Sequence, residues 1–165
     1  MAQPFQIPRN VELSCLEYLK TNVSLTWSGV TFLKTFAQVY AKNINLPVIT
    51  VRLSDTNTVY REIGNTIMED RYLLIVDIFC QNDPQRLDLG YTVKNLLRQG
   101  WIHYDWSRSS GDTTGIINGI PDGRDTVTQF VTDARVDFGD TVDTKDRFRH
   151  TISIRVRTSP LIPTY

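Results

Sequence analysis

His103 and Asp105 stand two apart in the run Trp101-Ile102-His103-Tyr104-Asp105-Trp106. On a strand that spacing puts both side chains on one face, an imidazole beside a carboxylate, as an acid-base pair needs. No nucleophile with a matched motif accompanies them, so a polar pair at a strand edge is the expectation. Asp77 lies among Leu73, Ile75 and Phe79, where an unpaired carboxylate is costly to bury. A catalytic acid would account for it; a structural ion pair with Arg52 on the neighbouring strand accounts for it more simply. His150 falls on the apolar side of the last strand and reads as a core histidine with a satisfied ring nitrogen. With two histidines and two scattered cysteines, no spacing suits zinc. Ser110-Gly111-Asp112-Thr113-Thr114-Gly115 is rich in glycine, but it lacks the Gly-Lys-Ser/Thr ending of a phosphate loop and does not lie between a buried strand and a helix. Asn22-Val23-Ser24 fits a glycosylation sequon, which matters only in an exported chain. No catalytic residue, cofactor or metal is expected.

Charge is sorted more pointedly. Arg147, Arg149, Arg155 and Arg157 share the polar face of the last strand, and such a row of guanidiniums suits a carboxylate-rich partner or phosphates. The hairpin leading into it carries Asp133, Asp137, Asp140, Asp143 and Asp146. One end of the hairpin is therefore acidic and the other basic. A surface with both signs can pair head to tail with a copy of itself, and such contacts close into rings.

The elements that position these residues follow from patterning. In Arg71 to Cys80 nearly every position is apolar, which marks an interior strand covered on both faces. Asp83 and Pro84 suit a helix start, Leu89, Val93, Leu96 and Leu97 line one side of the helix that follows, and Gly100 stops it. Before that strand, the spacing predicts a helix over 12–22 capped by Asn10, a second over 31–42, and a β-branched strand over 48–53. After it come an aromatic strand over 101–106 and a long polar loop over 107–125. Two long strands close the chain: 126–138, with a bulge near Thr132-Asp133, and 147–157, where Phe148, His150, Ile152, Ile154 and Val156 face inward. This order gives an α+β fold: a mostly antiparallel twisted sheet, helices packed on one face and a long C-terminal β-hairpin.

At 165 residues the chain is one domain, 1–165, with 1–10 and 158–165 as extended termini. It is long enough to bury roughly 70% of its unfolded surface. Cys15 and Cys80 read as reduced core residues. No basic leader or span of ~20 apolar residues is present, so a soluble protein is expected. The 18 basic and 18 acidic side chains cancel, leaving no overall field to draw it onto nucleic acid or a membrane.

Leu46-Pro47-Val48-Ile49-Thr50-Val51, then Asn65 through Arg71-Tyr72-Leu73-Leu74-Ile75-Val76-Asp77-Ile78-Phe79, then Arg86-Leu87-Asp88-Leu89 resemble the tail terminator and neck proteins of tailed bacteriophages. Val136-Asp137-Phe138-Gly139 to Arg147-Phe148-Arg149-His150-Thr151-Ile152 is similar to their final hairpin. The resemblance covers about 10–157 through element order and loose patterns. It implies a non-enzymatic protomer, made in the host bacterial cytoplasm, that forms a homo-oligomeric ring, commonly a hexamer, in the virion neck. That ring caps the tail tube, meets tail tube and head-tail connector proteins, and lets DNA pass. In it Arg147, Arg149, Arg155 and Arg157 are expected at a subunit or partner interface, and Asp140, Asp143 and Asp146 facing the channel, where like charge keeps DNA from sticking. A head-tail connector or stopper on the portal is the nearest rival. A small enzyme using Asp77, His103 and Asp105, or a phosphate-gripping module on the arginine strand, are rivals of other kinds.

Overall fold

The computed structural model describes residues 7–34, 36–41, 43–60, 68–106, 119–136 and 145–159. Its elements run α1 (Ile7–Val23), β1 (Thr31–Leu33), a 3-10 turn (Phe36–Tyr40), β2 (Val48–Tyr60), β3 (Met68–Phe79), α2 (Asp83–Arg98), β4 (Trp101–Asp105), β5 (Ile120–Arg135) and β6 (Arg149–Ser159). The strands form one sheet in the order β1-β2-β3-β6-β5-β4, antiparallel at every pairing except β1 with β2.

Strand alternation sends Ile49 and Val51 of β2, Leu74, Val76 and Ile78 of β3, and Ile152, Ile154 and Val156 of β6 to one face. There they meet Val11, Cys15 and Leu19 of α1 and Leu89, Val93 and Leu97 of α2. Both helices thus cover the same face, and the fold is the α+β arrangement expected. The sheet curls, because α1 touches both β2 and β4, second and last in the strand order. Polar side chains on α1 hold both contacts. Glu12 Oε2 accepts from the Leu53 amide at 2.8 Å, beside a β2 irregularity between Leu53 and Asp55. Ser14 Oγ accepts from the Tyr104 amide at 2.9 Å, and Asn10 Oδ1 from the Trp106 amide at 3.2 Å. These bonds blunt the free edge of β4, an edge on which another chain would otherwise template.

Several expected boundaries change for identifiable reasons. Helix α1 starts at Ile7, so residues 7–10 are not an extended terminus, and Asn10 is buried inside the helix rather than capping it. The helix expected over 31–42 is instead β1 followed by the 3-10 turn. Its apolar rhythm serves a small second core, in which Val39, with Leu33, Ile44 and Leu46 around it, covers Val48 and Phe79 on the sheet's other face. In α2, Pro84 occupies the first turn as expected, but the cap is Asn82, whose side chain accepts from the Gln85 amide at 2.9 Å; Asp83 already lies inside the helix. The hairpin irregularities in β5 fall between Val127 and Gln129 and between Phe130 and Thr132, the second beside the expected bulge. Strand β5 begins at Ile120 instead of 126, within what reads as loop, and residues 107–118 lie outside the described ones. Thr158 and Ser159 are strand residues, not part of an extended terminus, and residues 160–165 lie outside the described ones.

Gly100, after α2, has φ +66°, and a Cβ there would sit 2.7 Å from the Asp125 carbonyl oxygen. Both the left-handed backbone and the contact with rigid backbone oppose any side chain. Gly100→Ala is expected to lower stability by about 2 kcal/mol or more, read from urea denaturation; a loss under about 0.5 kcal/mol would contradict this packing.

Candidate functional site

Among the described residues, the sheet's second face, opposite the helices, is covered only at its β1 end, by the 3-10 segment. Lys145 Nζ pins that cover by donating to the Val39 and Ala41 carbonyls at 2.7 and 3.0 Å. Farther along, register aligns Arg52, Ile75 and Ser153 in one row, Leu73 with Arg155 in the next, and Arg71 with Arg157 beyond. Leu73 and Ile75 are only half-buried, and no described element packs over them.

The expected arginines divide between two roles. Arg149 is buried: its Nε and Nη2 donate to Asp77 Oδ1 at 3.2 and 3.0 Å, and its guanidinium lies 5.3 Å from the Phe79 ring centre. This corrects the expectation for Arg149, which spends its charge inside the protomer because it is the nearest cation to a fully buried carboxylate. Thr151 Oγ1 adds a 2.6 Å bond to the same oxygen, and Arg52 Nε lies 3.6 Å from Oδ2, the structural pairing expected for Asp77. Arg155 and Arg157 remain half-exposed on the open face, Arg157 beside Glu69 at 3.8 Å. Arg147 precedes β6 in an exposed turn, its guanidinium 5.5 Å from the Phe148 ring centre.

Asp146 also departs from expectation. It is buried, accepts from Tyr40 Oη at 2.5 Å and lies 3.7 Å from Arg149, so it belongs to the internal ion network and not to a channel-facing tip. Asp140 and Asp143 lie outside the described residues.

The spacing of His103 and Asp105 brings both inward but not together. His103 Nδ1 turns to Asp125 Oδ2 at 3.1 Å, while Asp105 receives Asn10 Nδ2 at 3.3 Å. Asp125, fully buried, also accepts from Trp101 Nε1 at 3.0 Å and Thr158 Oγ1 at 2.6 Å. Sequence reasoning missed it because Asp125 sat at the end of an apparent loop; the signal was its own burial partner, one strand away. Beside this network, Tyr18, Trp101, Tyr104, Trp106 and Arg124 line a cleft of about 620 Å³. The Tyr18 and Trp101 rings stack at 5.8 Å.

His150 is the core histidine expected, with more polar company. Arg86 Nη1 lies 3.0 Å from Nδ1 and Asp133 Oδ1 lies 2.7 Å from Nε2. Arginine can only donate, so Nδ1 accepts and the proton resides on Nε2, facing the carboxylate. Lys94 donates to the other oxygen of Asp133. Burial opposes ionisation of Asp133, but the hydrogen bonds from Lys94 and His150, with the Lys94 charge, outweigh it and hold the carboxyl below its ordinary 3.8. A carboxyl depressed on folding stabilises above its unfolded pKa and loses that contribution as pH falls through the folded value. Thermal denaturation is therefore expected to show stability falling below about pH 4, with a shallower fall in Asp133→Asn; equal acid limbs would contradict the linkage. Burial also pushes the Cys80 thiol up to about 12, against a lowering pull from Arg86, and raises Cys15 well above its usual value. Both cysteines are buried and free.

Among the described residues, no helix is long and apolar enough to cross a membrane. No protein-family model matches the chain, and no curated relative matches it.

Proposed function

We propose that this chain is a structural subunit of a tailed-phage neck, forming a ring that terminates the tail tube and joins it to the head around a passage for DNA. What supports the reading is the open sheet face. Half-buried Leu73 and Ile75 lie among Arg52, Arg155 and Arg157, an apolar centre with an arginine rim, which is the composition of surfaces buried on assembly. Arg155 and Arg157, with Arg147 at the turn, are the partner-facing members of the arginine set. The ring is homo-oligomeric and commonly six-fold, with tail tube and connector proteins as neighbours and the virion as its location. Quantitative peptide mass spectrometry of purified virions tests this: about six copies per particle support a terminator, about twelve point to a connector on the portal, and absence from the particle overturns the reading.

A further inference from the structure

Helix α2 carries a second apolar stripe that its own core does not use. Leu89, Val93 and Leu97 face the sheet, while Leu87 and Tyr91, one turn apart, are 55% and 67% exposed on the outer side. Asp88 lies exposed between them. A sheet buries its two faces most simply against helices, and the described helices of this protomer cover one face alone. The two patches match in chemistry. Each has an apolar centre; one is edged by arginine and the other by aspartate, and Arg155 makes no ion pair among the described residues. The chain's zero net charge means that a cationic face on one side is balanced by acidic groups elsewhere.

We propose that the outer face of α2, through Leu87 and Tyr91, docks on the open sheet face of a second copy, over Leu73 and Ile75, with Asp88 paired to Arg155 across the interface. The proposal rests on the ring reading and supplies its contact. Because the two patches differ and lie on opposite sides of the protomer, the association is head to tail and propagates around a ring.

The test uses two full-length chains, each with one patch disabled: Leu87→Glu/Tyr91→Glu, and Leu73→Gln/Arg155→Glu. Native mass spectrometry and light scattering should find each alone monomeric, and the equimolar mixture dimeric, because a single productive interface remains. If the unaltered chain is monomeric at high micromolar concentration, the ring reading fails together with the contact. If it assembles and both altered chains assemble as well, the contact fails and the ring reading stands. Self-pairing by either altered chain also overturns the contact. A charge exchange guards against misfolding: Asp88→Arg should weaken assembly at least tenfold, and adding Arg155→Glu should recover most of it. No recovery in a folded double variant overturns the pairing.

Discussion

Asp77→Ala is expected to lower stability by about 3–5 kcal/mol, a large share of the ~5–15 kcal/mol that holds a domain together. Asp77 is fully buried at the centre of the sheet, and its carboxylate accepts two bonds from Arg149 and one from Thr151. Alanine leaves the Arg149 guanidinium buried with its main counter-charge gone, and that orphaned charge, not the lost attraction, sets the size of the loss. Removing both charges together tests this account. Asp77→Leu/Arg149→Leu should recover most of the loss, since an apolar pair leaves no orphan. Urea midpoints decide it: a loss under about 1 kcal/mol for Asp77→Ala, or a double variant as unstable as the single one, would show that the pair does not hold the sheet together.

Asp125→Ala should cost about as much, by a different route. Here no cation is orphaned; three donors are, on buried Trp101 and His103 and half-buried Thr158. At about 1–3 kcal/mol for each unsatisfied donor, and with water able to reach some of the gap, a loss of about 3–5 kcal/mol follows. Thr158→Val should cost only about 1 kcal/mol, because Asp125 keeps two donors. Comparable losses for the two variants would mean that Trp101 and His103 do not depend on Asp125. The network joins β4, β5 and β6, so Asp125→Ala should also loosen the stacked Tyr18 and Trp101 rings and red-shift tryptophan emission.

Where local chemistry decides structure, the sequence is a good guide. The apolar run in β3, the proline at the start of α2, the glycine after it and the alternation of β6 all read through, because each is fixed by its own neighbours. Where a residue's role depends on a distant partner, the reading fails. Asn10 looks like a helix cap because asparagine prefers caps, yet its partners are Asp105 and Trp106 on β4. Val39 has helical spacing, but burying Val48 and Phe79 outweighs that preference and leaves only a 3-10 turn. The Pro121-Asp122-Gly123 sequence imitates a turn. A proline is tolerated there because β6 pairs with β5 only from Arg124 onward, so no ladder bond on that side is lost. For the site, the Asp77 and Arg52 pairing was readable from strand adjacency. The inward turn of Arg149 and Asp146 was not, since alternation assigns a face without saying whether that face is covered.

The polar anchors of α1 carry a consequence for how the chain is made. This helix leaves the ribosome before the other described elements, yet its bonds to β4 span 90 to 96 residues of sequence. At about 5–20 residues per second, α1 waits roughly 5–20 s for those partners to be synthesised. Protease digestion of ribosome-stalled chains should accordingly find α1 cleavable in chains that stop before β4 emerges and protected in longer ones; early protection would contradict this order. During that interval the chain is half-finished, and the stability of the completed fold does nothing yet to protect it.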